Sequence, residues 1–274
     1  MPDFDKMKDD CLRLRRKIVE IIHGAGSGHS GGSLSCVEIL WTLYSEVLRV
    51  RPDEPHWPGR DRFVLSKGHA APCLYAVLAE RGFFPGEQLS TLRQAGSILQ
   101  GHPDMRKVPG IEMSTGSLGM GISVGVGMAL AGKLAGLDYR VYVLAGDGEL
   151  QEGQNWEAMM AAHKFALDNL VVIVDRNGVQ LDGATEDIMP LGDVAAKIEQ
   201  FGFAVAECDG HDCGALHEVL TQAIGVTSGP VAIVAHTVKG KGVSFMEHQS
   251  AWHGAPITPE HYEIARRELK EDCR

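Results

Sequence analysis

Residues 140–183 constrain the fold most, because they set two apolar runs around a helical one and end each apolar run on a polar turn. The stretch reads RVYVLAGDGELQEGQNWEAMMAAHKFALDNLVVIVDRNGVQLDG. Residues 141–145 are short, apolar and β-prone, and they stop at Gly146-Asp147-Gly148. Such a run predicts a buried parallel strand whose carboxyl end opens on a ligand crevice, with Asp147 at its tip. Residues 149–166 have helical character, and residues 170–174 predict a second buried strand ending at Asp175-Arg176-Asn177. The unit is therefore βαβ, and both strand ends face one crevice.

Asp147 and Asn177 are 177 − 147 = 30 positions apart, enough for one crossover helix to bring a carboxylate and a carboxamide beside the same ligand. That pair suits a hard cation. Magnesium takes about six oxygens and is usually held by one or two protein carboxylates together with phosphate oxygens. Asp147, the amide oxygen of Asn177 and the carbonyl of Val179 would supply the protein's share, while Gly146 and Gly148 let backbone approach phosphates closely. A lone GDG is ordinarily a β-turn. GDG, helix, strand and DRN in sequence point instead to a metal diphosphate site.

GDGELQEG followed by VDRNGVQLDG resembles the thiamine diphosphate motif of transketolases. The resemblance implies an α/β fold with a mostly parallel sheet and helices on both faces. It also implies that Asp147, Asn177 and the Val179 carbonyl hold the metal, and that Gly146, Asp147, Gly148, Glu149 and Asn177 meet the diphosphate. Arg176 stands where many thiamine enzymes have a second Asn, and the ligating position itself is intact.

Other motifs follow the same order as the family's. Helical spacing of Leu14, Ile18, Ile21 and Ile22 ends at a glycine-rich run, 24–32, that contains His29. A histidine among glycines reads as a cleft residue or as a loop residue capping 35–38, and the transketolase loop, commonly GHPG where this chain has GHSGG, implies contact with substrate hydroxyls. A strand at 61–65 runs into Ser66-Lys67-Gly68-His69-Ala70 and a helix to residue 80, a junction suited to anions. The resemblance gives His69 the diphosphate end of the cofactor, and gives His102, in Gln100-Gly101-His102-Pro103, a place near the reactive ring and the donor substrate. STGSLGMG resembles the family's TTGPLGQG loop, which puts Gly116, Ser117 and Leu118 beside the cofactor, with Ser117 replacing a proline; a small-residue helix, 122–135, follows. His253, in Trp252-His253-Gly254, takes the family's role at diphosphate and substrate.

Glu152 and Glu157 match acidic residues that in the family lie towards the subunit interface and the activating glutamate; a solvated helix start suits Glu157 equally, whereas for Glu152 the resemblance favours the interface and a place among the catalytic residues with His29, His102 and His253. Residues 191–201 predict a helix, 203–207 and 230–235 strands, and Asp209 or Asp212 a helix cap. His248 and His261 read as surface residues.

Composition bounds the partners. A chain of 274 residues with 44% hydrophobic content can bury a sizeable core, and we expect one domain over 1–274 with an extended N-terminal helical segment. The formal charge of −10 argues against nucleic acid or anionic membrane as partner. The 6 cysteines lack CxxC or zinc-like spacing and read as reduced thiols, and no apolar stretch would span a bilayer, so the expected compartment is the cytoplasm.

The resemblance runs from about residue 15 to about residue 256 and covers only the diphosphate-binding domain of a longer family. It implies thiamine diphosphate with Mg²⁺ (Ca²⁺ or Mn²⁺ able to substitute) and transfer of a two-carbon ketol unit from a ketose or ketose phosphate to an aldose or aldose phosphate. The family's next domain, which binds the aminopyrimidine and supplies its activating glutamate, is expected on a separate carboxyl-terminal subunit, giving an α2β2 heterotetramer. QEG after GDGEL favours transketolase over a 2-oxo acid dehydrogenase α-type chain or a deoxyxylulose phosphate synthase fragment, and the cleft histidines favour an enzyme over a non-catalytic diphosphate-binding module. Pentose phosphates, apulose phosphate and sulfosugars all remain open as substrates.

Overall fold

Five parallel strands, β1 (Arg62–Leu65), β2 (Val141–Gly146), β3 (Leu170–Arg176), β4 (Ala204–Asp209) and β5 (Val231–His236), form one sheet in the computed structural model, which describes residues 2–270. Their order across the sheet is β1-β2-β3-β5-β4. The register pairs Val141 with Leu170 and Ile173 with Ile233. Side chains alternate across a strand, so a strand covered on both faces must be apolar at every position. In β2, Val141, Val143 and Ala145 enter one core while Tyr142 and Leu144 enter the other; Leu170, Val172 and Val174 of β3 likewise oppose Val171 and Ile173. The edge strand β4 pairs with β5 alone and is half-exposed.

The α-helices are α1 (Phe4–Ala25), α2 (Ser30–Leu34), α3 (Val37–Thr42), α4 (Ala71–Glu80), α5 (Met120–Leu134), α6 (Gly153–Lys164), α7 (Thr185–Ile188), α8 (Val194–Gln200), α9 (Cys213–Gly225) and α10 (Pro259–Glu268). One core takes Ile18 of α1, Leu40 of α3, Leu74 of α4 and Leu216 of α9. The other takes Ile122 of α5, Met159 of α6 and Ile198 of α8. Helices thus cover both faces of the sheet, as the sequence led us to expect.

Three boundaries differ from expectation for local reasons. The glycine-rich run is not all loop: Gly26, at φ 65, caps α1, and Ser30 begins a short helix with His29 at its N-cap. The helix expected over 149–166 is split, because Glu149 turns its carboxylate back to Gly146 N–H within a 3-10 turn, Gly148–Gln151, before Glu152 extends and α6 begins. The 191–201 helix starts only at Val194, where the Asp193 carboxylate accepts from Ala196 N–H. Asp212 caps α9 by accepting from Gly214 and Ala215 N–H, and Asp209 accepts from His211 N–H in the preceding turn. Among the described residues no helix is long and apolar enough to cross a membrane. The five described cysteines are free; Cys273 lies outside the described residues.

Candidate functional site

Because every strand runs the same way, β1, β2, β3 and β5 deliver their following loops to one edge of the sheet, the place where open α/β sheets bind ligands. A cavity of about 240 Å³ opens there. Lys67 and His69 reach it after β1, Gly146, Asp147 and Gly148 after β2, Asn177 and Val179 after β3, and Lys239 and His253 beyond β5.

Asp147 is buried at the tip of β2. Its Oδ1 accepts from Gly148 N–H at 2.9 Å, and its Oδ2 accepts from Gly178 N–H at 2.6 Å and from Arg176 Nη1 at 2.9 Å. Burial pushes its carboxyl pKa up, although Arg176 and Gly178 oppose that shift. Arg176 also donates to Thr185 Oγ1 and to Glu186, clamping the aspartate to α7. Asn177 Oδ1 accepts from Val179 N–H at 3.1 Å, while the Val179 carbonyl accepts from Lys239 Nζ at 3.1 Å. Carboxylate, amide and carbonyl oxygens are the donor set a hard cation requires. Two of them already attract the chain's own cations, Arg176 and Lys239, so the residues present fit a divalent ion.

The four histidines singled out in the sequence meet at the cavity mouth. His29 lies 5.4, 5.9 and 5.3 Å, ring centre to ring centre, from His69, His102 and His253, and His69 lies 4.8 Å from His253. Burial, then neighbouring Arg93 and His102, lowers His29 to about 4. Burial and Lys239 lower His253 to about 3, and burial with Lys67 holds His69 well below the usual imidazole range. At neutral pH these rings are uncharged. Lys239 Nζ sits 3.1 Å from His253 Nδ1, which makes that nitrogen the acceptor and leaves Nε2 as the N–H donor. His29 Nδ1 is buried and has no hydrogen-bond partner among the described residues. His261, read as a surface residue, is instead half-buried, its ring 4.9 Å from Phe245 and from Trp252; His248 is exposed as expected.

The loop before α5 closes the same mouth. Gly116, at φ 141, lies so near His102 that an added Cβ would come within 2.9 Å of the ring, so a side chain there would both strain the backbone and displace the imidazole. Leu118 lines the cavity, and Ser117 is exposed beside it. Glu149 lines the cavity too, but its carboxylate knits three loops together. Oε1 accepts from Ser66 Oγ at 2.5 Å and from Gly119 N–H at 2.9 Å, and Oε2 from Gly146 N–H at 3.1 Å. Glu152 and Glu157 are exposed; neither lines the cavity nor touches the histidines.

Sequence reasoning gave no role to Lys67 or Lys239. Lys67 is fully buried, donating to Gly32 O at 2.8 Å, to Ser35 Oγ and to Asp175, which Thr237 also contacts. Lys239 donates to Val179 O and Gln180 O, and burial followed by repulsion from Lys67 lowers it to about 8. A lysine two or three residues past an apolar strand, followed by glycine, was the available signal in both Ser66-Lys67-Gly68 and Val238-Lys239-Gly240.

Fold and site together define an open parallel α/β domain that presents hard oxygens, two ammonium groups and a histidine cluster at its carboxyl edge. The family profile described as "Transketolase, thiamine diphosphate binding domain" matches residues 8–273, so the chain belongs to the transketolase family. It is 46% identical over 257 residues, 94% of this chain and 91% of the relative, to an apulose-4-phosphate transketolase subunit of Phocaeicola vulgatus. It is 44% identical over 259 residues, 94% of each chain, to the 6-deoxy-6-sulfo-D-fructose transketolase subunit SqwG of a Clostridium species. The transketolase structure from Campylobacter jejuni superposes with a TM-score of 0.92 at 33% identity, covering 98% of this chain and 43% of that one. This chain therefore spans less than half the length of that solved transketolase.

Proposed function

We propose that this chain is the diphosphate-binding subunit of a two-chain transketolase that uses thiamine diphosphate and a divalent cation, Mg²⁺ or in its place Ca²⁺ or Mn²⁺. The observation that carries the reading is the convergence of Asp147, Asn177, Val179 and Lys239 on one cavity whose mouth is ringed by four histidines. In it, Asp147, Asn177 and the Val179 carbonyl hold the cation, and Lys239, Gly146, Gly148 and His69 meet the diphosphate. Gly116, Ser117 and Leu118 border the cofactor. When bound, the cofactor supplies the carbon centre and electron sink for moving a two-carbon ketol unit from a ketose to an aldose.

The chain's own residues orient and move protons. His29, His102 and His253 face the substrate in this reading; His29, uncharged at neutral pH, and His102 can accept a proton from a sugar hydroxyl or hydrogen-bond it, and His253, with its proton on Nε2, donates a hydrogen bond to a sugar oxygen. Glu152, exposed at the start of α6, faces the partner subunit in this reading rather than the histidines. The relatives named as subunits, matched over more than nine-tenths of their length, support a separate partner subunit, which in this reading carries the pyrimidine side and pairs with this chain as an α2β2 assembly. They also favour a sugar bearing phosphate or sulfonate. Five free described cysteines support a reducing cytoplasmic setting, and the formal charge of −10 disfavours nucleic acid or an anionic membrane as partner.

The test is calorimetry of the assembled enzyme with thiamine diphosphate and Mg²⁺. Asp147→Ala or Asn177→Ala should weaken binding by at least about 100-fold, since loss of a direct ligand exceeds the usual cost of losing an outer-shell partner. Unchanged affinity in folded variants would remove the proposal.

A further inference from the structure

Lys239 sits on an irregular loop after β5, yet its ammonium is aimed at three fixed atoms, Val179 O, Gln180 O and His253 Nδ1. Something must hold that loop. Val238 N–H donates to His211 Nε2 at 2.8 Å on one side of Lys239, and Arg15 Nε donates to the Lys241 carbonyl at 3.1 Å on the other. The two anchoring side chains meet on Glu38. Arg15 grips that carboxylate with both Nη atoms, at 2.5 and 2.6 Å, and His211 Nδ1 lies 3.0 Å from its Oε2. All three are largely buried, His211 being the most exposed of them with 13% of its side-chain surface accessible.

The hydrogen bonds also settle which nitrogen of His211 carries its proton. Nε2 accepts from a backbone N–H, so it bears none, and the proton belongs on Nδ1, pointing at Glu38. Burial works against the Glu38 carboxylate, but Arg15 and His211 outweigh it and hold its pKa at about 2, so the acceptor is charged. Glu38 thus fixes the tautomer of His211, and His211 in that tautomer fixes Val238. The arrangement repeats, for a loop lysine, the way outer-shell carboxylates orient histidine ligands at metal sites.

We infer that Arg15, Glu38 and His211 form a buried positioning triad that sets the Lys239 ammonium against the diphosphate site. The inference rests on the cofactor reading above, but concerns residues that do not line the cavity. A generic packing role would be insensitive to which end of the imidazole is preserved; this role is not. In His211→Asn the amide can still reach Glu38 from the Nδ1 position while the acceptor for Val238 N–H is lost. In His211→Gln an acceptor remains at the Nε2 position.

The experiment measures amide hydrogen exchange of residues 238–242 in the full chain, and the affinity of the assembled enzyme for thiamine diphosphate with Mg²⁺. His211→Asn should speed exchange in that loop and weaken the cofactor by about 10-fold, the lower end of outer-shell losses, and His211→Gln should recover most of both. In a Lys239→Met background His211→Asn should cost no further affinity, because the loss acts through the lysine. The inference is overturned if His211→Asn leaves exchange and affinity unchanged, if Asn and Gln are equally harmful, or if the Asn loss persists undiminished in Lys239→Met. Asp147→Ala separates the two levels. If it abolishes binding while His211→Asn does nothing, the cofactor reading stands and the triad falls; if Asp147→Ala is also silent, both fall.

Discussion

Burial of the imidazoles decides how the site responds to acid. His29 is lowered to about 4 and His253 to about 3, so between those values and about 6.5 the folded chain keeps them neutral while the unfolded chain protonates them. The unfolded state then binds more protons, and stability must fall as pH falls. Their contribution is whole above about pH 6.5 and is lost progressively towards pH 4 and 3. Urea unfolding of the unliganded chain at pH 7 and pH 4.5 should show the loss, with a smaller one in His253→Gln; an identical loss would contradict the assignment. The histidines should also separate by role. His102→Ala and His29→Ala should lower kcat/KM for the ketose by about 100-fold, a typical acid–base contribution, with little change in cofactor affinity, and His69→Ala should chiefly weaken the cofactor. Parallel losses in all three would show that the division is wrong. His29 was legible in the sequence because glycines surround it, leaving no helix or strand to explain a histidine, whereas His69, His102 and His253 were placed by the resemblance of their motifs to those of transketolases. Lys239 was harder to see, since its partners are carbonyls 59 and 60 residues away. The triad was invisible for the same reason, with Glu38 and His211 173 positions apart.

At the scale of elements, strands were readable where the fold buries both faces. β2, β3 and β5 had to be continuously apolar, and their observed ends fall within a residue or two of expectation. α2 was not readable, because Ser-Gly-Gly-Ser-Leu has no helical propensity to speak of and is held by its surroundings; all five residues are buried. α5 illustrates why small residues matter to the site. An added Cβ at Gly125 would lie 2.4 Å from Val143 Cγ2, so the helix rests directly on β2, the strand that carries Asp147. Gly125→Ala should cost about 1–3 kcal/mol by overpacking, read as a lower urea midpoint, although alanine favours the helix itself. An unchanged or higher midpoint would mean that α5 can back away from the sheet.

For the whole molecule, the surface left uncovered points to association. Leu134 on α5 is 80% exposed, and Met120 on α5, Met160 on α6, and Leu181, Ile188 and Met189 beyond β3 are exposed as well. Leu181 lines the cavity, as does Gln151, which donates to the Met189 carbonyl, and Met120 starts α5 two residues after the cavity-lining Leu118, so this part of the apolar surface borders the cavity, while Leu134 and Met160 lie further along α5 and α6, which pack against each other. Exposed apolar area of this kind marks an interface, here the one we assign to the partner chain and the second copy. An isolated chain should therefore self-associate or bind hydrophobic dye, and lose that tendency with its partner. The central claim is that this chain holds the diphosphate and metal end of a site whose other half comes from a second chain. The most direct test supplies the purified chain with Mg²⁺, thiamine diphosphate, a ketose donor and an aldose acceptor, with and without a second chain carrying the pyrimidine-binding domain. Ketol transfer should be absent from the chain alone and appear when the two are mixed; turnover by a preparation shown to lack any partner would contradict the account.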